Sequence, residues 1–159
     1  YSDSLYPTRD FWDANYLVES AIRDTAEALR ARGCTCGFEA GRDLPPAYID
    51  FKQVAYCLRT ILQSDIDGTV EQGTVTASTA LEGDAIVIRI EDRSRRVAPE
   101  DLDTLLMPFS STQDLGGGLG LALCKTMLEK QGIPLDADLL PEGGLLYTII
   151  LPTRKEEQP

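Results

Sequence analysis

The stretch LGGGLGLALCKTMLEKQGI, residues 115–133, carries three consecutive glycines directly into a strongly helical sequence. Glycine lets the backbone approach a ligand closely, and the first turn of a helix offers N–H donors and positive potential to a phosphate. A flexible connection between two elements has the same composition, and glycine spacing alone does not separate the two possibilities. The sequence on either side therefore has to distinguish them.

Composition limits the classes of function. A chain of 159 residues with 43% hydrophobic content predicts one domain with a sizeable core. The formal charge of −11 disfavours nucleic acid and anionic membrane surfaces as partners, so we expect neither nucleic-acid binding nor direct membrane contact. Four cysteines without metal-ligand spacing indicate a reduced, cytoplasmic setting. The absence of histidine excludes Ser-His and Cys-His catalysis within this chain.

Hydrophobic periodicity predicts an α+β domain, in which a mixed sheet is backed by about three helices. The three predicted helices are residues 15–32, 51–64 and 119–131. Asp50 is placed to cap the second helix, and Gly33 to end the first. A shorter helix is predicted in APEDLDTLL, residues 98–106, where Pro99 and two acidic residues occupy the first turn.

Strands are predicted by alternation of apolar and polar residues. The predicted strands are CTCGFEA at residues 34–40, a hairpin of GTVTASTA and AIVIRIE, and two last strands near residues 135–140 and 145–151. Ile86, Ile88 and Ile90 alternate along the hairpin and should be buried. DLPPAYID, residues 43–50, is interpreted as a connecting loop. We expect one domain over residues 1–152 and a disordered tail over residues 153–159.

The order and spacing of these elements resemble a known family. GGGLGLAL matches the Gly-x-Gly-Leu-Gly-Leu pattern of that family at Gly116, Gly118, Leu119, Gly120 and Leu121. From about residue 10 to residue 152 the chain resembles the catalytic and ATP-binding domain of sensor histidine kinases. That domain belongs to the GHKL superfamily, which includes DNA gyrase and the MutL proteins. The resemblance implies the Bergerat-type fold, a two-layer α/β sandwich with three helices on one face of a mixed sheet.

Two further boxes extend the resemblance. In IEDRSRRVAPEDL, Asp92 stands where the family has the aspartate that accepts a hydrogen bond from the adenine amino group. LLMPFSSTQ is similar to the family's phenylalanine box and supplies Phe109 and Thr112. Gln113 follows this threonine, where family members with a short lid commonly have a lysine that reaches the phosphates. The resemblance thus implies an ATP site formed by Asp92, Phe109, Thr112 and the glycine-rich segment.

Other positions depart from the family pattern. Ser94 and Arg96 replace the two glycines of the first glycine box, and Cys57 and Ile61 replace the two asparagines of the asparagine box. In the family the second asparagine holds the magnesium ion, a hard cation that needs oxygen ligands, which isoleucine does not provide. Asp65, one turn further along the predicted helix, is a possible substitute. We therefore assign no metal ligand and no catalytic residue, and expect magnesium to add little.

The segment RSRR, residues 93–96, has two interpretations. It is either a solvated basic turn, or a set of arginines that fill the empty pocket or bind an acidic partner. The sequence leaves both open.

The leading functional interpretation is a degenerate kinase domain that serves two-component-type signalling as a signalling or protein-binding module, with weak or no ATP binding. Its expected partner is a helical dimerisation and phosphotransfer domain or a response-regulator-type protein. The first alternative is a working ATP-binding domain that transfers phosphate to a histidine on a separate domain. The second is a purely structural domain that binds no nucleotide.

Overall fold

The computed structural model describes residues 6–68, 72–95, 97–107 and 118–155. These residues form both strands and helices, as predicted for an α+β domain. The elements are β1 Asp10–Trp12, α1 Ala14–Asp24, α2 Ala26–Ala31, β2 Thr35–Glu39, β3 Ala47–Ile49, α3 Phe51–Gly68, β4 Thr74–Glu82, β5 Ala85–Asp92, α4 Pro99–Leu102, α5 Gly118–Glu129, β6 Leu135–Leu139 and β7 Leu145–Leu151.

The main sheet has five strands in the order β2-β4-β5-β7-β6. β2 runs parallel to β4, whereas the other neighbours are antiparallel, so the sheet is mixed as predicted. The predicted hairpin is formed by β4 and β5, which are joined through Gly83 with a φ of +64°. β1 and β3 form a separate antiparallel pair.

The core lies between the sheet and its helices. Ile86, Ile88 and Ile90 of β5 are buried as predicted, together with alternate residues of β7. Helix α3 packs against both α1 and α5, and its buried stripe faces the same core. The expected two-layer α/β sandwich, with the three principal helices together, is confirmed.

The prediction of one helix over residues 15–32 is wrong, because Thr25 divides the segment into α1 and α2. The Thr25 hydroxyl donates to the carbonyl oxygens of Ala21 and Ile22, at 3.1 Å in each case. A threonine hydroxyl that bonds back to the preceding turn competes with the helical ladder, which explains the break. Gly33, with a φ of +67°, ends the segment as predicted.

The prediction that residues 43–50 are a loop is also wrong, because they contain β3. Neither β1 nor β3 was predicted, since a strand of three residues is too short to show alternation. The Tyr48 N–H of β3 donates to the carbonyl of Pro152 at 2.8 Å, which joins this pair to the end of β7. The small pair is therefore held by tertiary contacts.

Asp50 caps α3 as predicted, since its carboxylate accepts from the Gln53 N–H at 3.1 Å. The helix runs four residues beyond its predicted end and finishes at Gly68. After β7, the Thr153 hydroxyl donates to the Asp84 carbonyl at 2.5 Å, and Arg154 pairs with the Asp84 carboxylate at 2.8 Å. Residues 156–159 lie outside the described residues.

Candidate functional site

Two segments predicted to form the site meet the same helix. Arg95, just after β5, contacts Asp65 of α3 at 3.1 Å. Gly120 in the first turn of α5 packs so closely on α3 that a Cβ there would lie 3.3 Å from the Thr60 methyl group. Thr60 and Asp65 are five residues apart, about 8 Å along a helix. Helix α3 thus brings the end of β5 and the start of α5 to one region.

Asp92 ends β5 and is completely buried. Its Oδ1 accepts from the backbone N–H of Ser94 at 3.0 Å, from the Ser94 hydroxyl at 2.7 Å and from the N–H of Arg95 at 3.1 Å. Aspartate commonly folds the chain back on itself in this way, because its short side chain reaches the N–H groups two and three residues on. The orientation of the Asp92 carboxylate is therefore set by the loop that follows it.

Gly144 approaches the same loop from the turn before β7. Its φ is +99°, and a Cβ at this position would lie 2.6 Å from the Asp92 carbonyl oxygen. Only glycine fits this backbone conformation and this close approach without displacement of the loop.

Arg95 and Asp65 form a buried ion pair. Their side chains are 1% and 0% exposed, and the Arg95 guanidinium also donates to the Ser64 hydroxyl at 3.0 Å. The interpretation of RSRR as a solvated turn is therefore wrong for Arg95, which binds an acidic group of this chain itself. Arg93 does face solvent and pairs with Glu91 at 3.2 Å. Arg96 lies outside the described residues.

Burial dominates the electrostatics of this pair. Together with the nearby charge of Asp92, it raises the pKa of Asp65 to about 8, against the opposing effect of Arg95. Burial, reinforced by Asp65, also raises the pKa of Tyr147, which keeps this phenol neutral. Asp65 is turned towards Arg95 inside the protein and does not present its carboxylate as a solvent-facing metal ligand.

The residues at the asparagine positions do not fit a magnesium ion. Cys57 and Ile61 are both fully buried in the core, and neither carries an oxygen ligand. Over the described ranges, no group of three or more His, Cys, Asp or Glu side chains is arranged to hold a metal. The donor chemistry of α3 thus differs from what magnesium requires.

The remaining predicted site residues fall into two groups. Gly118, Leu119, Gly120 and Leu121 form the first turn of α5, as expected for a segment that offers N–H donors to an anion. Leu121 is fully buried, so its side chain belongs to the core. Phe109, Thr112 and Gly116 lie outside the described residues.

The cysteines near the site are structural. The Cys57 thiol donates to the Cys124 carbonyl at 3.8 Å and links α3 to α5. The neighbouring Cys124 thiol, together with burial, raises the pKa of Cys57, and burial raises the pKa of Cys36 to about 11. Both shifts suppress the thiolate, the reactive form of cysteine.

The Arg95–Asp65 pair was not predicted, although the sequence carries a signal for it. Asp65 lies on the same helical stripe as Leu58, Ile61 and Leu62, all of which are buried. A carboxylate on a buried stripe needs a cationic or hydrogen-bonding partner. That partner is 30 positions away in sequence and is brought close only by the fold.

These features define the GHKL class of ATP-binding domains. They are a mixed sheet backed by three helices, a buried aspartate at the end of a strand, and a glycine-rich helix start that packs on the central helix α3. The chain belongs to the family of histidine kinase-, DNA gyrase B-, and HSP90-like ATPases, whose model matches residues 50–155.

Sensor histidine kinases are prominent among its relatives. The sensor histidine kinase ZraS of Escherichia coli K12 is 24% identical over 149 residues, which are 92% of this chain and 32% of that protein. The catalytic domain of the histidine kinase ThkA has a TM-score of 0.82 at 18% identity, covering 94% of this chain and 99% of that one. ThkA in complex with the response regulator TrrA matches with a TM-score of 0.77 at 18% identity, covering 92% of this chain and 42% of that one.

The chain spans about a third of the length of ZraS and between 15% and 25% of the length of other curated relatives that it matches. These similarities confirm the predicted family and fold, and identify a histidine-kinase-type ATPase domain of the kind used in two-component signalling. Within the described segments, no helix combines the length and hydrophobicity needed to cross a membrane.

Proposed function

We propose that this domain acts mainly as a signalling or protein-binding module and binds ATP weakly or not at all. The supporting observation is that α3 offers no side chain for a metal at positions 57, 61 and 65: Cys57 and Ile61 are buried in the core, and Asp65 is paired with Arg95. Phosphoryl transfer depends on phosphate positioning and on metal neutralisation of charge. The lack of a metal-positioning group costs several kcal/mol of transition-state stabilisation.

Two retained features support residual nucleotide binding without efficient catalysis. Asp92 is buried in a fixed orientation, and the glycine-rich segment opens α5. The same two features favour the alternative function, a working ATP-binding domain that transfers phosphate to a histidine on a separate domain. Magnesium dependence separates the two functions, because only the working domain needs the ion held by the protein.

Calorimetric titration with ATP, with and without magnesium, tests the proposal. We expect weak binding whose affinity changes less than tenfold when magnesium is added, which corresponds to about 1.4 kcal/mol. Asp92→Ala should reduce the affinity because it removes the expected adenine contact, and Asp92→Asn, which retains an acceptor for the loop, controls for damage to the fold. A larger gain with magnesium would favour the working domain.

A repair experiment tests whether the departures explain the weak binding. The triple variant Ile61→Asn, Ser94→Gly and Arg96→Gly should bind ATP with magnesium more tightly than the parent. Ile61 is fully buried, so its replacement should cost about 1–3 kcal/mol of stability, and thermal unfolding must be followed in parallel. If a folded triple variant binds no better than the parent, the purely structural function takes first place.

The proposed partner is a helical dimerisation and phosphotransfer domain or a response-regulator-type protein, in a cytoplasmic setting. Support comes from the greater length of the relatives and from the complex of ThkA with a response regulator. Binding of purified receiver domains, followed by surface plasmon resonance, should be detectable without nucleotide. Binding that requires ATP and magnesium would contradict a module that works without them.

A further inference from the structure

A concave site lies beside the first turns of α3, before the part of that helix that meets Gly120. It is a cavity of about 610 Å³ between residues 6–12, the first turns of α3 and the later part of α5. Its volume falls within the range of small-molecule sites. Met127 lines it from α5, nine residues after Gly118, so the cavity is about 14 Å along the helix from the glycine-rich start.

Aromatic rings form much of the wall. The lining includes Tyr6, Trp12, Phe51 and Tyr56. The Trp12 and Phe51 rings are 4.7 Å apart between centroids and tilted by 43°, which fixes the indole against the start of α3. Trp12 remains 39% exposed and Tyr56 38% exposed. Trp12 is thus held in place while it stays partly open to solvent, as a ring must be to contact a ligand cation.

The charges of the cavity are mainly negative. Asp50 is 9% exposed, and its carboxylate is held by the N–H groups of Thr8 at 2.7 Å and Gln53 at 3.1 Å. Asp10 adds an exposed carboxylate at the rim, where it accepts from the N–H of Phe11 at 2.8 Å. Among the described side chains, neither aspartate forms an ion pair with a lysine or arginine.

Lys52 is the cation in the lining, and its side chain is exposed. A lysine at such a position keeps its ammonium group in water at the end of a flexible stem. Its charge lowers the negative potential of the cavity but does not cancel it. The chain as a whole carries a formal charge of −11, which further favours cationic ligands.

We propose that this cavity binds a small organic ammonium ion with apolar substituents. Aromatic faces attract such a cation through the ring quadrupole, and its alkyl groups gain from burial against Trp12 and Met127. The carboxylates of Asp10 and Asp50 supply the opposite charge. A neutral ligand of the same shape would lose both electrostatic contributions, and an anion would be repelled.

Trp12 is the single tryptophan of the chain, so its fluorescence reports directly on the cavity. The probes are choline and n-butylammonium, and the control is 3,3-dimethylbutan-1-ol, the neutral isostere of choline. We expect a saturable change in emission, with at least one of the two ammonium ions binding tenfold or more tightly than the isostere. Equal binding of the isostere, or no binding by either ammonium ion, would overturn the proposal.

Variants identify the groups responsible. Asp10→Asn and Tyr56→Leu should each weaken binding severalfold, whereas Lys52→Gln should strengthen it. Phe11→Leu is the matched control for Tyr56→Leu. Phe11 is an exposed aromatic residue of β1, and it packs on Tyr48 outside the cavity lining. Circular dichroism verifies that each variant folds. An equal loss in Tyr56→Leu and Phe11→Leu would contradict the assigned site.

Competition with ATP tests the separation of the two sites. If calorimetry detects ATP binding, ATP at a concentration that fills its site should leave the affinity for the ammonium probe within twofold of its value without nucleotide. Displacement of the probe by ATP would show that the cavity is part of the nucleotide site and would overturn the proposal.

Discussion

At the scale of single residues, the Arg95–Asp65 pair joins the segment after β5 to helix α3. When Asp65 is ionised, both charges lie away from water, and desolvation of each ion costs several kcal/mol, which the mutual attraction only partly offsets. The contribution of the pair is therefore modest while both partners are present. The loss of one partner leaves the other charge buried and uncompensated.

Above about pH 8, where Asp65 is ionised, we expect Arg95→Met to lower the free energy of unfolding by about 3–5 kcal/mol, because it leaves the Asp65 charge unpaired in the core. The double variant Arg95→Met with Asp65→Leu should regain most of this loss, since no buried charge remains. Urea unfolding followed by circular dichroism measures both. Arg93→Met is the control, because Arg93 is solvent-exposed, and it should change stability by less than about 0.5 kcal/mol. A double variant no more stable than the single one would contradict the electrostatic explanation.

The raised pKa of Asp65 predicts how stability depends on pH. The folded state holds this proton with a pKa of about 8, against an ordinary value of 3.8, so folding favours the protonated form. The Asp65 contribution to stability is thus fully present below about pH 4 and is lost as the pH rises through 8. The stability of the parent relative to Asp65→Asn should fall between pH 5 and pH 9 in urea unfolding. A relative stability that rises over this range would mean that Arg95 keeps the group ionised.

At the scale of secondary structure, the long strands were predicted from the sequence and the shortest ones were missed. The strands β4, β5 and β7 are long enough for alternation to show, and they are found where predicted. The three-residue strands β1 and β3 carry no such signal and depend on contacts with the end of β7. The break at Thr25 depends on one hydroxyl group, which periodicity does not register.

Local sequence identified only part of the candidate site region. Asp92 and the glycine-rich start of α5 are local motifs, and the structure places both against α3. Filling of the pocket by the arginines of residues 93–96 was one of two interpretations, but Asp65 was not identified as the partner of Arg95, because the two are brought together only by the fold. The aromatic cavity was missed for the same reason, since its wall combines residues 6–12 with α3 and α5.

The turn before β7 offers a test of how tightly the Asp92 loop is packed. Gly144→Ala should destabilise the domain by more than the roughly 1–2 kcal/mol typical of a left-handed alanine, because the added methyl group would also meet the Asp92 and Arg93 backbone. Gly83→Ala is the matched control, since Gly83 has a φ of +64° but a Cβ added there would meet no atom within 4 Å. Chemical denaturation compares the two variants. Equal losses would show that backbone conformation, not the close approach, sets the requirement for glycine.

At the scale of the whole molecule, the candidate nucleotide site and the aromatic cavity use different parts of the same two helices. The glycine-rich start of α5 faces the middle of α3, whereas Met127 of α5 and the first turns of α3 form the aromatic cavity. The packing of α3 on α5 therefore supports both regions.

The central position of β7 also determines when the newly made chain can fold. A ribosome releases the protein from its amino end, yet β7, which is the last strand in sequence, lies between β5 and β6. Until residues 145–151 emerge, the apolar edge of β5 is unpaired, and such an edge is prone to aggregation. We expect a nascent chain stopped at residue 144 to remain protease-sensitive, and an arrest-peptide force assay to register folding only once residue 151 has left the exit tunnel. A pulling force already recorded for nascent chains that end before residue 151 would show that β2, β4 and β5 fold without β6 and β7. No chaperone would then be needed to cover the edge of β5 during synthesis.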